Sequence, residues 1–146
     1  MQSIVCCLGI VIYITQGQGA YDSLPFPKEV QSIGGMRAVM NPTARFHFKS
    51  AHGWLNDPNG LVYLDGEYHM FFQHHPGSAV WGPMHWGHAV STDLLEWTEL
   101  PIALEPDSLG QIFSGSIVAD TENRFGLSQS GETVLVAFFT HHNREA

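Results

Sequence analysis

Met70-Phe71-Phe72-Gln73-His74-His75 recurs as Ala137-Phe138-Phe139-Thr140-His141-His142, and this internal echo constrains the fold more than any single segment. Each copy follows a stretch with a glycine and an aliphatic pair, Gly60-Leu61-Val62 in the first case and Gly115-Ser116-Ile117-Val118 in the second. Around the first copy, Leu61 to Leu64 and Glu67 to Phe72 flank Asp65-Gly66. That dipeptide is a strong hairpin signal, because both central positions of a type I′ turn need positive φ. Trp86 to Ser91 and Trp97 to Leu100 read as two more strands, and Ile112 to Ala119 with Thr133 to His141 as a fresh pair. No stretch carries a helical period. The pattern predicts an all-β chain built from two units of one plan, the first with about four strands and the second ending after two. A repeated four-stranded antiparallel unit is the signature of a β-propeller blade, whose faces are covered by its neighbours. A β-sandwich with a coincidental Phe-Phe-x-His-His pair is the alternative. Because one and a half blades cannot close a ring, the blade reading predicts a truncated, marginally folded chain whose last apolar strand is left as a bare edge.

Composition narrows the partners. Six Lys plus Arg against fourteen Asp plus Glu give a net charge of -8 over 146 residues, without a basic cluster. Nucleic acid and anionic membrane surfaces are therefore excluded as expected partners. Only 14% of residues are charged, whereas 15 Gly, 9 Phe, 4 Trp and 4 Tyr suit a loop-rich β protein with aromatic-lined surfaces, such as sugar-binding proteins have.

The N-terminus reads as an export signal spanning residues 1–19. The apolar run Ile4 to Ile14 has the length of a signal-peptide core and falls short of a membrane span. Gly17 and Gly19 supply small residues for a cut after Gly19, and a cut after Ala20 is also open; the segment lacks Lys and Arg, so an amphiphilic anchor is the minority reading. Cleavage would remove Cys6 and Cys7, the only two cysteines, and leave a secreted chain held by packing alone, with no membrane association. Residues 20–49, broken by Pro25, Pro27, Gly34-Gly35 and Pro42, read as an irregular leader, and residues 50–146 as the partial propeller.

Trp54-Leu55-Asn56-Asp57-Pro58-Asn59-Gly60 is the chemically richest stretch. Asp57, Pro58 and Gly60 stand where a type I β-turn wants Asp, Pro and Gly. The segment reads as a stiff turn holding a carboxylate beside amide donors and an indole wall, at the mouth of an inner strand. Such a carboxylate suits the nucleophile of a retaining glycosidase, which works with a second carboxyl about 5 to 5.5 Å away. Capping of the turn by Asp57 is the plain structural alternative.

With Tyr68 to Pro76 (YHMFFQHHP), Trp81 to Trp97 (WGPMHWGHAVSTDLLEW) and Phe113 to Ser116 (FSGS), this stretch makes four motifs in order. Together they resemble the N-terminal part of the invertase, inulinase and levanase family, glycoside hydrolase family thirty-two. The resemblance runs from about His47 to Thr140. It implies the first one to two blades of a five-bladed β-propeller and retaining release of β-D-fructofuranosyl units from sucrose or fructans. By position it implies Asp57 as nucleophile, with Asn56, Gln73, Trp81, Phe113 and Ser114 in the fructose subsite and Trp54 as a neighbouring wall. An amide at Gln73 can read vicinal hydroxyls, an indole at Trp81 can cover sugar C–H groups, and the small flank of Ser114 leaves room for a ligand.

The family's Arg-Asp-Pro motif, with its transition-state stabilising aspartate, and its Glu-Cys motif, with the acid/base glutamate, are both absent from these 146 residues. General acid catalysis contributes roughly 10² to 10⁴-fold, so the chain alone reads as a poor hydrolase. A non-catalytic secreted sugar-binding remnant is the alternative function. The nine histidines, paired at His74-His75, His85 and His88, and His141-His142, lack the helical spacing or further ligand of a zinc site, and neither metal nor cofactor is expected.

Overall fold

The computed structural model describes residues 47–129 and 131–143, together with the backbone of the strand Val5–Ile14. The expected signal segment and leader otherwise lie outside the described residues. Among these there is no helix, and seven strands follow in order: β1 Val5–Ile14, β2 Trp54–Leu64, β3 Glu67–His75, β4 His85–Ser91, β5 Thr98–Leu104, β6 Gln111–Asp120 and β7 Val134–Asn143. They form two antiparallel sheets, β2-β3-β4-β5 and β1-β7-β6. Asp65 and Gly66 have φ of 52° and 91°, so the hairpin between β2 and β3 turns as its sequence predicts.

Burial runs unbroken from His69 to His74 because both faces of the first sheet are covered. On one face Phe71, Trp86, Leu104 and Leu64 meet Ile112, Leu135, Ala137 and Phe139 of the second sheet. On the other, Met70, Phe72 and Ala89 lie under Phe48, Leu55 and Trp97. Each large side chain buried here stabilises by about 1.5–3 kcal/mol relative to exposure. The strand period explains the split, since consecutive residues point to opposite faces. It also explains the echo: Phe139 occupies in the second sheet the place of Phe72 in the first and points back toward the first sheet, while Phe138, the counterpart of Phe71, meets Phe125 on the far face. Two stacked sheets of one plan are what consecutive blades require.

Three local expectations change. The segment Asp57 to Gly60 is not an isolated type I turn but part of β2, whose pairing with β3 shifts register between Asn56 and Pro58 and again between Asn59 and Val62. The last strand of the first sheet begins at Thr98 and runs through Pro101 to Leu104, which an edge strand tolerates because its outer N–H groups need no partner. Finally, with residues 1–19 present the edge of β7 is covered: the backbone of Val5–Ile14 pairs with Val134–Asn143 over ten residues, and the bare edge is the expectation for a chain from which that segment has been cleaved.

Between the sheets lies a polar pair. His69 Nδ1 and His88 Nε2 are 3.0 Å apart, and the His88 ring stacks on Phe71 at 4.1 Å between centroids. Burial lowers the pKa of both imidazoles. For His88 it falls to about 3, by burial first and by His69 second. For His69 burial outweighs the opposing pull of Glu67 and Asp65 at the adjacent hairpin. Both rings are therefore neutral near pH 7, one donating and the other accepting. A group whose folded pKa lies below its unfolded value near 6.5 stabilises fully above that value and loses its contribution as pH falls toward the folded pKa. We predict that the urea midpoint drops between pH 6.5 and pH 4.5, above the range of ordinary carboxylates, and that the double substitution His69→Phe, His88→Phe flattens this dependence. An unchanged slope in that variant would assign the acid sensitivity elsewhere.

Candidate active site

Asp57 owes its position to the double register break in β2. Its φ is +23°, a conformation uncommon outside glycine, and its side chain stands exposed at the surface. Asn59, itself buried, donates from Nδ2 to the Asp57 carbonyl at 3.2 Å. Asn56, just before Asp57, accepts at Oδ1 from the Trp54 indole at 2.7 Å, and His74 Nδ1 lies 2.8 Å from the Trp54 carbonyl. The strain is thus held by side chains on both flanks. A local kink of this kind re-aims a side chain out of the ladder, as bulges beside binding sites do.

The second sheet completes the arrangement. β6 carries its own break between Phe113 and Gly115, and the extra residue is Ser114. Ser114 Oγ donates to Asp57 Oδ2 at 3.1 Å, the one side-chain hydrogen bond that the carboxylate receives from the facing sheet among the described residues. Gln73, directly opposite Asn56 in register, is 3% exposed and donates from Nε2 to the Ile112 carbonyl at 2.8 Å. One of its donors is therefore committed to bridging the sheets. Phe113 is half-buried, with its ring stacked on His142 at 4.4 Å, and Trp81 presents an exposed indole in the loop between β3 and β4. Trp54 bonds Asn56 and Ser114 bonds Asp57, and the two pairs meet because Asn56 and Asp57 are consecutive; Phe113 adjoins Ser114 through the chain.

Sequence reasoning passed over Trp86, which is fully buried and donates from its indole to the Phe113 carbonyl at 3.1 Å. The signal available was its place opposite Gln73 in a strand pair. A separate hollow of about 300 Å³, lined by His47, Phe48, Lys49, Ala51, Leu95, Trp97 and Glu99, opens on the other side of the first sheet and contains none of these residues. Among the described residues no group of three or more His, Cys, Asp or Glu is placed to hold a metal ion.

The profile of the glycosyl hydrolases family 32 N-terminal domain matches residues 47–146. The chain belongs to glycosyl hydrolase family 32. It is 55% identical over 96 residues to a levanase of Bacillus subtilis, covering 66% of this chain and 14% of the levanase. The crystal structure of exo-inulinase from Aspergillus awamori superposes with a TM-score of 0.61 at 48% identity, covering 64% of this chain and 19% of the inulinase. A β-fructofuranosidase of Schwanniomyces occidentalis, complexed with fructosyl-erythritol, superposes with a TM-score of 0.55 at 45% identity, covering 58% of this chain and 17% of that enzyme. The chain thus spans less than a fifth of the length of each of these relatives. In family 32 the N-terminal domain is a five-bladed β-propeller, and the two stacked sheets are part of it.

Gly115 shows how closely the bulge of β6 lies against β7 within the second sheet. A Cβ there would meet the Phe138 carbonyl oxygen at 1.9 Å and its carbon at 2.9 Å, both backbone atoms. Gly115→Ala is expected to destabilise by about 2 kcal/mol in urea unfolding, because the clash is with backbone of the neighbouring strand and forces a backbone shift. A change within about 0.5 kcal/mol would mean that the bulge rearranges freely.

Proposed function

We propose that this chain supplies the nucleophile-bearing part of a secreted, retaining β-fructofuranosidase acting on sucrose or fructans. The single observation that carries the reading is the Ser114 to Asp57 hydrogen bond across two sheets, which holds an exposed carboxylate in one orientation at a register break. An orienting donor and a strained backbone are what a nucleophile needs, since a carboxylate free to rotate spends little time aligned for attack.

In the proposed reaction an Asp57 oxygen attacks C2 of the fructosyl unit. The C2–O bond to the leaving sugar breaks, and that oxygen takes a proton from an acid. Water then attacks the fructosyl ester with the same group acting as base, releasing fructose and restoring the Asp57 carboxylate. Asn56, Gln73, Trp81, Phe113 and Ser114 would bind the fructosyl ring, with Trp54 beside them. Ser114, bonded to the carboxylate, would also steady the attacking oxygen. Secretion rests on the apolar run near the N-terminus and on the extracellular exo-inulinase among the relatives.

A second reading has its own support. The Arg-Asp-Pro and Glu-Cys motifs are absent from the 146 residues, so the chain alone fits a sugar-binding remnant. Sucrose and inulin hydrolysis, measured for this chain and for the longest reading frame that contains it, separates the two. The proposal expects turnover from the longer polypeptide, and Asp57→Asn in it to lower kcat by at least about 10³-fold with the fold intact, as for loss of a nucleophile that acts together with its partners. Saturable fructose binding without turnover in both polypeptides would favour the remnant.

A further inference from the structure

The hydrogen bonds around residues 111–114 point to an internal brace that sets the Asp57 site from a distance. In a regular strand successive carbonyls alternate in direction, so those on one side of β6 should bond β7 and those on the other should face the first sheet. Here two consecutive carbonyls of β6 accept from side chains of the first sheet: Ile112 from Gln73 Nε2 at 2.8 Å and Phe113 from Trp86 Nε1 at 3.1 Å. Ile112 N–H also donates to the Met84 carbonyl at 2.9 Å, as its place in the strand requires. Phe113 pairs with Thr140 of β7, and the register break falls immediately after it, at Ser114, so the carbonyl that the indole holds is the one at which the ladder is interrupted.

We propose that Trp86 is a positioning residue for the Asp57 site: by holding the Phe113 carbonyl, its indole N–H sets the β6 bulge that places Ser114 Oγ on Asp57 Oδ2. The inference rests on the reading of Asp57 as nucleophile for its functional meaning, but not for its geometry. Trp86 itself does not move in this account. It is fully buried, opposite Gln73 in register and between Phe71 at 5.7 Å and Phe139 at 6.0 Å, so the donor has a fixed origin in the packed seam. At a bulge the ladder is locally disrupted, so a carbonyl there that loses its side-chain donor forfeits a bond that the ladder does not readily replace. Without the indole N–H the cheaper course is for the bulge to relax toward β7, which carries Ser114 with it. The indole therefore acts through Ser114, and only Ser114 touches the carboxylate.

The test needs a change that removes the N–H and keeps the shape. Benzothienylalanine at position 86 replaces the indole N–H by sulfur within the same ring outline, and Trp86→Phe serves as a second, genetically encoded variant. The readout is the Asp57 side-chain carboxyl carbon resonance in the folded chain, which senses a donor on its oxygen and requires no activity. Ser114→Ala should shift this resonance. The position-86 replacement should shift it the same way, and in the Ser114→Ala background it should shift it no further. A resonance unmoved by the position-86 replacement, or equal additional shifts in both backgrounds, would overturn the proposal. So would a shape-conserving replacement that unfolds the chain, because the N–H would then serve overall stability. Loss of hydrolysis is judged separately by Asp57→Asn, so a failed nucleophile assignment and a failed brace give different results.

Discussion

The packing of Trp86 between Phe71 of its own sheet and Phe139 of the other is the interaction on which the rest of the structure depends. Offset and edge-to-face aromatic pairs add about 0.5–1.5 kcal/mol each beyond the area they bury, and both are made by one fully buried side chain. Because neither sheet can bury its facing surface alone, this seam fixes their separation and rotation. Every polar link across it then has a defined length. Gln73 and Trp86 reach consecutive carbonyls of β6, and Ser114 reaches Asp57. The proposed chemistry sits at the rim of a hydrophobic joint, and its geometry is inherited from that joint.

What was legible in the sequence was local or periodic. Asp65-Gly66 announced its hairpin because turn geometry depends on two residues, and the Phe-Phe-x-His-His echo announced stacked units because strand faces alternate with a period of two. The same locality misled at Asp57 to Gly60. Turn-forming letters were read as a turn, but their effect was spent inside a strand as two register breaks, since the pairing of β2 with β3 lay on both sides of them. The resemblance marks Gln73 as a subsite amide, but the bond of its Nε2 across the seam to a residue nearly forty positions away is a contact that no local pattern encodes. Trp86 and the His69 and His88 pair escaped notice for the same reason.

Membership of family 32 gives these features a common purpose. Asp57 and Ser114 come from different sheets, so the proposed nucleophile is formed only when the sheets stack. The hydrogen bonds that hold it are few, and each originates from a side chain fixed by packing or by a strained backbone, as preorganised sites require. On the proposed reading the chain carries one half of a two-carboxylate mechanism. It carries a candidate for attack on the sugar, whereas the Arg-Asp-Pro and Glu-Cys motifs are absent from the 146 residues. Attack by the proposed nucleophile can therefore be tested without a proton donor.

That separation defines the most direct measurement. β-Fructosyl fluoride carries a leaving group that departs without a proton, so attack by Asp57 does not wait for the absent acid. The chain is incubated with this donor, digested at low pH and mapped by mass spectrometry. The account predicts one added hexosyl unit, on the peptide that contains Asp57, released by mild base as an ester is and missing from the Asp57→Asn variant. A folded chain that acquires no adduct, or acquires it equally on another carboxylate, would contradict the assignment of Asp57 as nucleophile.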